Sequence, residues 1–272
     1  MFGRNETIAK IPMHGIIADG PDGINIERFA PLIEKAFSLR NIAAVWLDLD
    51  SPGGSPTHSA EIADLIRAYA DSTEIPVVAT IKEVAASGGC WISCAADEII
   101  ANPTSIVGSI GVVSASFGFH KLIDAVGIER RVKTAGQSKV SSDPFLPEDP
   151  AKTDKDMAVM TAIHEEFINW VKSRRGDKLK LDTPGLFEGQ IWLGRQGLEI
   201  GLVDMLKASS VYEAELESAG YTIKLLEPKA ARRGGIVSRM LSSSVESAVH
   251  SVADRMTHEL KKAALNSHIG LS

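Results

Sequence analysis

Through the first 135 residues, short apolar runs alternate with stretches in which apolar positions recur every three or four residues. The runs at 7–17, 43–49, 76–81, 98–101 and 106–113 predict strands, and the periodic stretches at 26–39, 59–69 and 87–96 predict helices. In the second of these helices Ile62, Leu65 and Ile66 share one face. Strands that are apolar without alternation are covered on both faces. Strand–helix alternation of this kind therefore predicts an α/β domain built on a largely parallel sheet. Beyond Lys139 the pattern turns helical. Met157, Met160, Ile163, Phe167 and Trp170 stand at helical spacing over 154–174 and predict a core or interface stripe. Shorter helices are expected at 193–200, stopped by Gly201, and at 211–219, with a late strand at 221–226.

Three regions follow: a domain over 1–227, a linker at 228–235 with three basic residues and two glycines, and an extension over 236–272. In the extension Leu241, Val245, Val249, Val252, Met256 and Leu260 form one helical stripe, flanked by Arg239, Arg255, Lys261 and Lys262. That stripe needs a cover, and two stay open: its own domain or a sister subunit, or a membrane surface. No apolar run has the length of a signal peptide or a membrane span, so the chain as given is expected in the cytoplasm, with membrane association left to the extension. A formal net charge of −6 argues against nucleic acid as a partner. Cys90 and Cys94, four residues apart, are expected as small buried residues; without nearby His or Asp they make a poor metal site, and no metal or cofactor is expected.

The chemistry concentrates in three short segments. Ser87 follows the small residues Ala85 and Ala86 and precedes Gly88 and Gly89, at a tight strand-to-helix turn. A serine there can be a helix cap or a nucleophile, and as a nucleophile it needs a base. Gly53 and Gly54 form a second glycine turn, ending 33 residues before Ser87. The N–H groups of Gly54 and Gly88 are candidate donors to the oxyanion of a tetrahedral intermediate. Gly53 and Gly89 leave room for a substrate backbone. Lys139, 52 residues after Ser87, lies in a polar segment with Gly136 and Ser138. It can act as a base only when neutral, which requires a downward shift of about 2–3 units from roughly 10.4 by desolvation. Of the seven histidines, His58 near the glycine turn is the one worth testing as an alternative; His14 lies in a strand, His120 precedes a helix and His164 lies on the long helix.

The segments Asp50-Ser51-Pro52-Gly53-Gly54, Ala85-Ala86-Ser87-Gly88-Gly89 and Ser105-Ile106-Val107-Gly108-Ser109-Ile110-Gly111-Val112, in this order and spacing, resemble the signal peptide peptidase A family of S49 serine peptidases. The later run Gly189-Gln190-Ile191-Trp192-Leu193-Gly194, with Gly201-Leu202-Val203-Asp204, extends the resemblance to about residue 210. It implies the Clp-protease/crotonase fold, a repeated ββα superhelix with flanking helices. It also implies a Ser87–Lys139 dyad, an oxyanion hole of Gly54 and Gly88, and ring-like homo-oligomers with catalytic groups near subunit interfaces. The implied substrates are unfolded peptides, including remnant signal peptides, cut at small or apolar side chains. Cys90 departs from the aromatic residue usual at that position. Three rivals stand beside this reading: a crotonase-type acyl-CoA enzyme, a non-catalytic scaffold of the same fold, and a Clp-like Ser-His-Asp peptidase using His58 or His120.

Overall fold

The computed structural model describes residues 6–228 except Gln137, Ser138 and Ser141. A compact unit ends at Pro228; the expected linker beyond that residue and the helical extension over 236–272 lie outside the described residues.

The chain opens with β1 (Thr7–His14), whose apolar residues Ala9, Ile11 and Met13 are fully buried. α1 (Ile26–Phe37) follows, and its start is fixed by Asn25. The Asn25 side chain accepts from the Arg28 N–H at 3.1 Å, and its amide nitrogen donates to the carbonyls of Ala18 and Gly20. A buried polar side chain is tolerable because each end is satisfied. β2 (Ile42–Ser51), α2 (Pro56–Thr73) and β3 (Val77–Ala86) continue the alternation. α2 starts with Ser55 as cap and Pro56 at its first position, where a missing N–H costs nothing. Then come α3 (Gly88–Ser93), β4 (Glu98–Ala101), β5 (Ile106–Gly108), α4 (His120–Ala125), α5 (Pro150–Arg175) and a 3-10 turn at Gly176–Lys178. The described chain closes with β6 (Ile191–Leu193), α6 (Gly194–Ile200), β7 (Met205–Leu206), α7 (Ser209–Ser218) and β8 (Thr222–Leu225).

The strands form one sheet in the order β6-β5-β3-β2-β1-β8, with β4 and β7 attached beside β3. All pairings are parallel except β5 with β6. The expected α/β architecture with a parallel-dominated sheet is therefore the observed one. β3 is the pivotal strand. Its first half, Val78–Ile81, pairs with β4, and its end, Val84–Ala86, pairs with β5, so the strand runs on to the residue before Ser87. The sequence reading ended this strand at 81, because Lys82 and Glu83 break the apolar run; both are exposed where β3 passes from one partner to the next.

One sheet face carries a polar cluster that the apolar runs concealed. Asp48 is buried on β2, where its carboxylate accepts from the Thr80 hydroxyl at 3.0 Å and lies 3.3 Å from His14 Nε2 and 3.8 Å from Lys10 Nζ. Trp46 Nε1 donates to Thr80 Oγ1 at 2.8 Å, and Tyr212 of α7 meets the Trp46 ring edge-on. Burial works against the Asp48 charge, but these donors and cations hold its carboxyl below the ordinary range.

Two boundaries differ for local reasons. The strand expected over 106–113 stops at Gly108, because Gly108 and Ser109 both take positive φ, 95° and 53°, and Ser109 N–H turns to the Gln190 carbonyl. The long helix begins at Pro150, capped by Asp149, and its stripe is divided: Phe167 is buried and Ile163 and Trp170 are partly buried, whereas Met157 is half exposed. Only the later half of α5 packs on the core.

Candidate active site

Ser87 stands where β3 ends and α3 begins, with φ 51° and ψ −120°. That conformation lies outside the left-handed well open to ordinary residues, and holding it costs on the order of 1–3 kcal/mol. Two backbone bonds enforce it: Ser87 N–H donates to the Gly108 carbonyl at 2.8 Å, and Trp91 N–H donates to the Ser87 carbonyl at 2.9 Å. The Ser87 hydroxyl makes no capping bond to α3. The capping role open to this serine in the sequence is thus not what its side chain does.

The glycine turn from β2 is packed directly against this point. A Cβ on Gly53 would stand 2.7 Å from Ser87 Cβ and 2.8 Å from both the Ala86 carbonyl oxygen and the Gly88 nitrogen. Gly53 and Gly54 have φ of 103° and 147°, and a Cβ on Gly54 would overlap the Ile17 carbonyl. Ile17 in turn ties the turn down, donating to Gly53 O at 2.9 Å and accepting from Ser55 N–H at 2.7 Å. A Cβ on Gly88 would overlap the Ser59 hydroxyl and lie 3.4 Å from the Gly54 nitrogen; one on Gly89 would stand 2.6 Å from Ser51 O. Only glycine fits these four positions. The same close approach sets the Gly54 and Gly88 amides beside each other, and no acceptor among the described residues takes either N–H.

A cavity of about 700 Å³ opens over Ser87, Gly54 and Gly88. Its lining is mostly apolar: Pro52, Pro56, Trp91, Val112, Val113, Ile163 and Phe167. Ser109, His164 and Glu188 supply the polar side chains besides Ser87. α5 contributes Ile163, His164 and Phe167 from one face, and Phe167 stacks on Trp91 with ring centroids 4.6 Å apart. Trp170, one turn on, donates from Nε1 to the Trp91 carbonyl at 2.9 Å and fixes α5 against α3. His164 Nε2 lies 3.2 Å from the Ile110 carbonyl oxygen.

The structure thus brings together Gly53, Gly54, Ser87, Gly88 and Gly89. It does not bring Lys139 to them within one chain: Lys139 is exposed and does not line the cavity. His58 is buried, with Nε2 2.8 Å from Asp19 Oδ1, and stands outside the lining. His120 opens α4 and lines a separate cavity of about 280 Å³ with Asp143. Sequence reasoning set His164 aside as a residue of the long helix and did not single out Glu188. His164 had a signal, since it lies four residues after Met160 and three before Phe167, on the face of the apolar stripe. Glu188 had none beyond its place before the Gly189-Gln190 pair. Cys90, directly behind the turn, is buried, and its hydrogen bond with Cys94 together with burial pushes its thiol up. It is 3% exposed and stands outside the cavity lining, as a packing residue does.

The model of peptidase family S49 matches residues 70–220. A putative protease of Synechocystis is 32% identical over 203 residues, covering 73% of this chain and 69% of that one. A putative signal peptide peptidase of Enterococcus faecium is 30% identical over 213 residues, covering 74% and 60%. A chain from Brucella abortus named as a Na(+)/H(+) antiporter is 40% identical over 251 residues, covering 89% of this chain but 33% of its own length. The chain therefore spans about a third of the antiporter-named relative. Among the described residues no helix is long and apolar enough to cross a membrane.

Proposed function

Since the chain belongs to peptidase family S49, we propose that it is a serine endopeptidase acting on flexible peptides, with Ser87 as nucleophile, Lys139 as general base and then acid, and Gly54 and Gly88 as oxyanion donors. The observation that carries this reading is the Ser87 turn. Its hydroxyl is free of a capping role, is held at positive φ, and borders a cavity beside two unclaimed N–H groups. In the proposed reaction Ser87 Oγ attacks the peptide carbonyl and gives its proton to the base. The oxyanion is held by the Gly54 and Gly88 amides. Collapse breaks the C–N bond, the leaving amine takes the proton back from the base, and water then hydrolyses the acyl-enzyme by the same path.

Because Lys139 is exposed outside the cavity, the proposal includes its delivery to Ser87 by a second copy of the chain. The 113–132 stretch that precedes it supports this. Val113, Phe117, Leu122, Val126 and Ile128 are all more than half exposed, and α4 buries none of its residues. An apolar surface of this kind calls for a partner.

A second reading has one observation in its favour: His164 lines the cavity that Lys139 does not. With Nε2 donating to the Ile110 carbonyl, Nδ1 would be the basic nitrogen. One experiment separates the two. A fluorophosphonate probe is applied to the full chain and to its Ser87→Ala, Lys139→Ala and His164→Ala variants, with size-exclusion chromatography to check assembly. Labelling lost in the Ser87 and Lys139 variants alone supports the dyad. Labelling kept in Lys139→Ala and lost in His164→Ala moves the base to the histidine. An unlabelled, assembled wild type overturns the peptidase reading.

A further inference from the structure

The family resemblance implied small or apolar side chains at the cleavage site, and most of the cavity wall agrees. One residue does not. Among the described residues of one chain Glu188 is the only carboxylate in the lining, and no lysine or arginine of that chain accompanies it; Lys139 of a second copy would come to Ser87 as a neutral base and not as a counter-ion. Glu188 is exposed, and among the described residues its carboxylate makes no hydrogen bond or ion pair, unlike Asp48, Asp143 and Asp204, each of which faces a cation. The other titratable group in the lining, His164, is already turned to the Ile110 carbonyl. Glu188 is hydrated, but it is the one negative charge at the edge of an apolar cavity, and a cation arriving with an apolar stem matches both features at once.

The Trp91–Phe167 stack and Ile163 supply the surface for such a stem. Trp91 also contributes a buried indole N–H with no acceptor among the described residues.

We propose that the cavity beside Ser87 seats a lysine or arginine side chain of the peptide substrate, its methylene stem against Trp91, Ile163 and Phe167 and its charged head at Glu188. The inference rests on the peptidase reading and narrows its substrate class to peptides with a basic residue close to the cleaved bond.

The test uses the full chain and internally quenched peptides in which one position at a time, on either side of the scissile bond, is lysine, arginine, norleucine or glutamate. Norleucine keeps the stem and removes the charge. At one position kcat/KM for lysine is expected to exceed that for norleucine by about three- to fivefold, the yield of a partly solvated ion pair. That ratio should fall to about one in Glu188→Gln, and in Glu188→Lys glutamate should become the preferred residue. Because Glu188 is exposed, these variants should fold. A lysine-to-norleucine ratio near one at every position in the wild type, or a ratio that survives Glu188→Gln, overturns the inference while cleavage itself upholds the peptidase. Absence of cleavage together with an unlabelled Ser87 overturns both.

Discussion

Replacing Ser87 by glycine should make the protein more stable while abolishing its chemistry. Ser87 has φ 51° and ψ −120°, a conformation held against its intrinsic preference by the bond from its N–H to Gly108 O and by the packed turn at Gly53. Strain of this kind is worth on the order of 1–3 kcal/mol. Glycine relieves it but adds about 0.5–1 kcal/mol of unfolded-chain entropy. The balance favours the glycine variant by about 1 kcal/mol, or roughly 2–4 °C in Tm for a unit of this size. Alanine removes the hydroxyl and keeps the Cβ, so Ser87→Ala retains the strain and should lie within about 0.5 kcal/mol of wild type. The comparison of glycine with alanine isolates the backbone, since both lack the hydroxyl and both should fail to take the fluorophosphonate. Scanning calorimetry of the three proteins at equal concentration gives the answer. A glycine variant no more stable than the alanine variant would mean that the strain does not exceed the entropy cost of about 0.5–1 kcal/mol, below the range argued for this turn, and the argument that function holds Ser87 in a strained conformation would fail.

Three further outcomes follow from the same geometry. Gly53→Ala places a methyl group 2.7 Å from Ser87 Cβ at a φ of 103° and should cost about 2–4 kcal/mol in urea unfolding, with loss of probe labelling. Asp204→Asn should cost about 3–5 kcal/mol in the same assay, because the Arg175 side chain, 1% exposed, donates to both Asp204 oxygens at 2.9 and 3.0 Å and would be left a buried charge without its partner. Burial opposes the Asp204 charge, but Arg175, Lys178 and the Ile99 N–H outweigh it and hold the carboxyl below its ordinary value. Its contribution is therefore complete above the unfolded carboxylate range near about 4 and is lost as pH falls through the lower folded value, so acid unfolding should lose part of its steepness in Asp204→Asn. The pH profile of kcat/KM should separate the candidate bases: a desolvated lysine gives a rise that continues above about pH 8 before it reaches a plateau, whereas an imidazole gives one complete by about pH 8.

What could be read from the sequence, and what could not, divides along a physical line. The Ser87 turn and the Gly53–Gly54 turn were legible because each is a local conformational demand, met by residues adjacent in the chain. Their meeting was inferred from the order and spacing of the motifs, and the close approach at Gly53 and Gly88 explains why no side chain larger than hydrogen is present there. The parallel sheet was legible for the same reason: the apolar runs of β1, β2 and β3 state their own burial. Asp48 was not, because a carboxylate inside a strand gives no sign of the Lys10, His14 and Thr80 that neutralise it from two neighbouring strands. The walls of the cavity were not legible either. Ile163, His164 and Phe167 face Ser87 only because α5 folds back over α3, a contact fixed by Trp170 and Trp91, which are 79 residues apart. The same reasoning bears on the base. Lys139 belongs to a segment whose preceding apolar residues find no cover among the described residues, so its sequence records a chemical capability but not the surface on which that capability is used. A residue whose environment is completed by another molecule is the least legible kind, and the site proposed here depends on one such residue in Lys139 and, through the peptide it awaits, on another in Glu188.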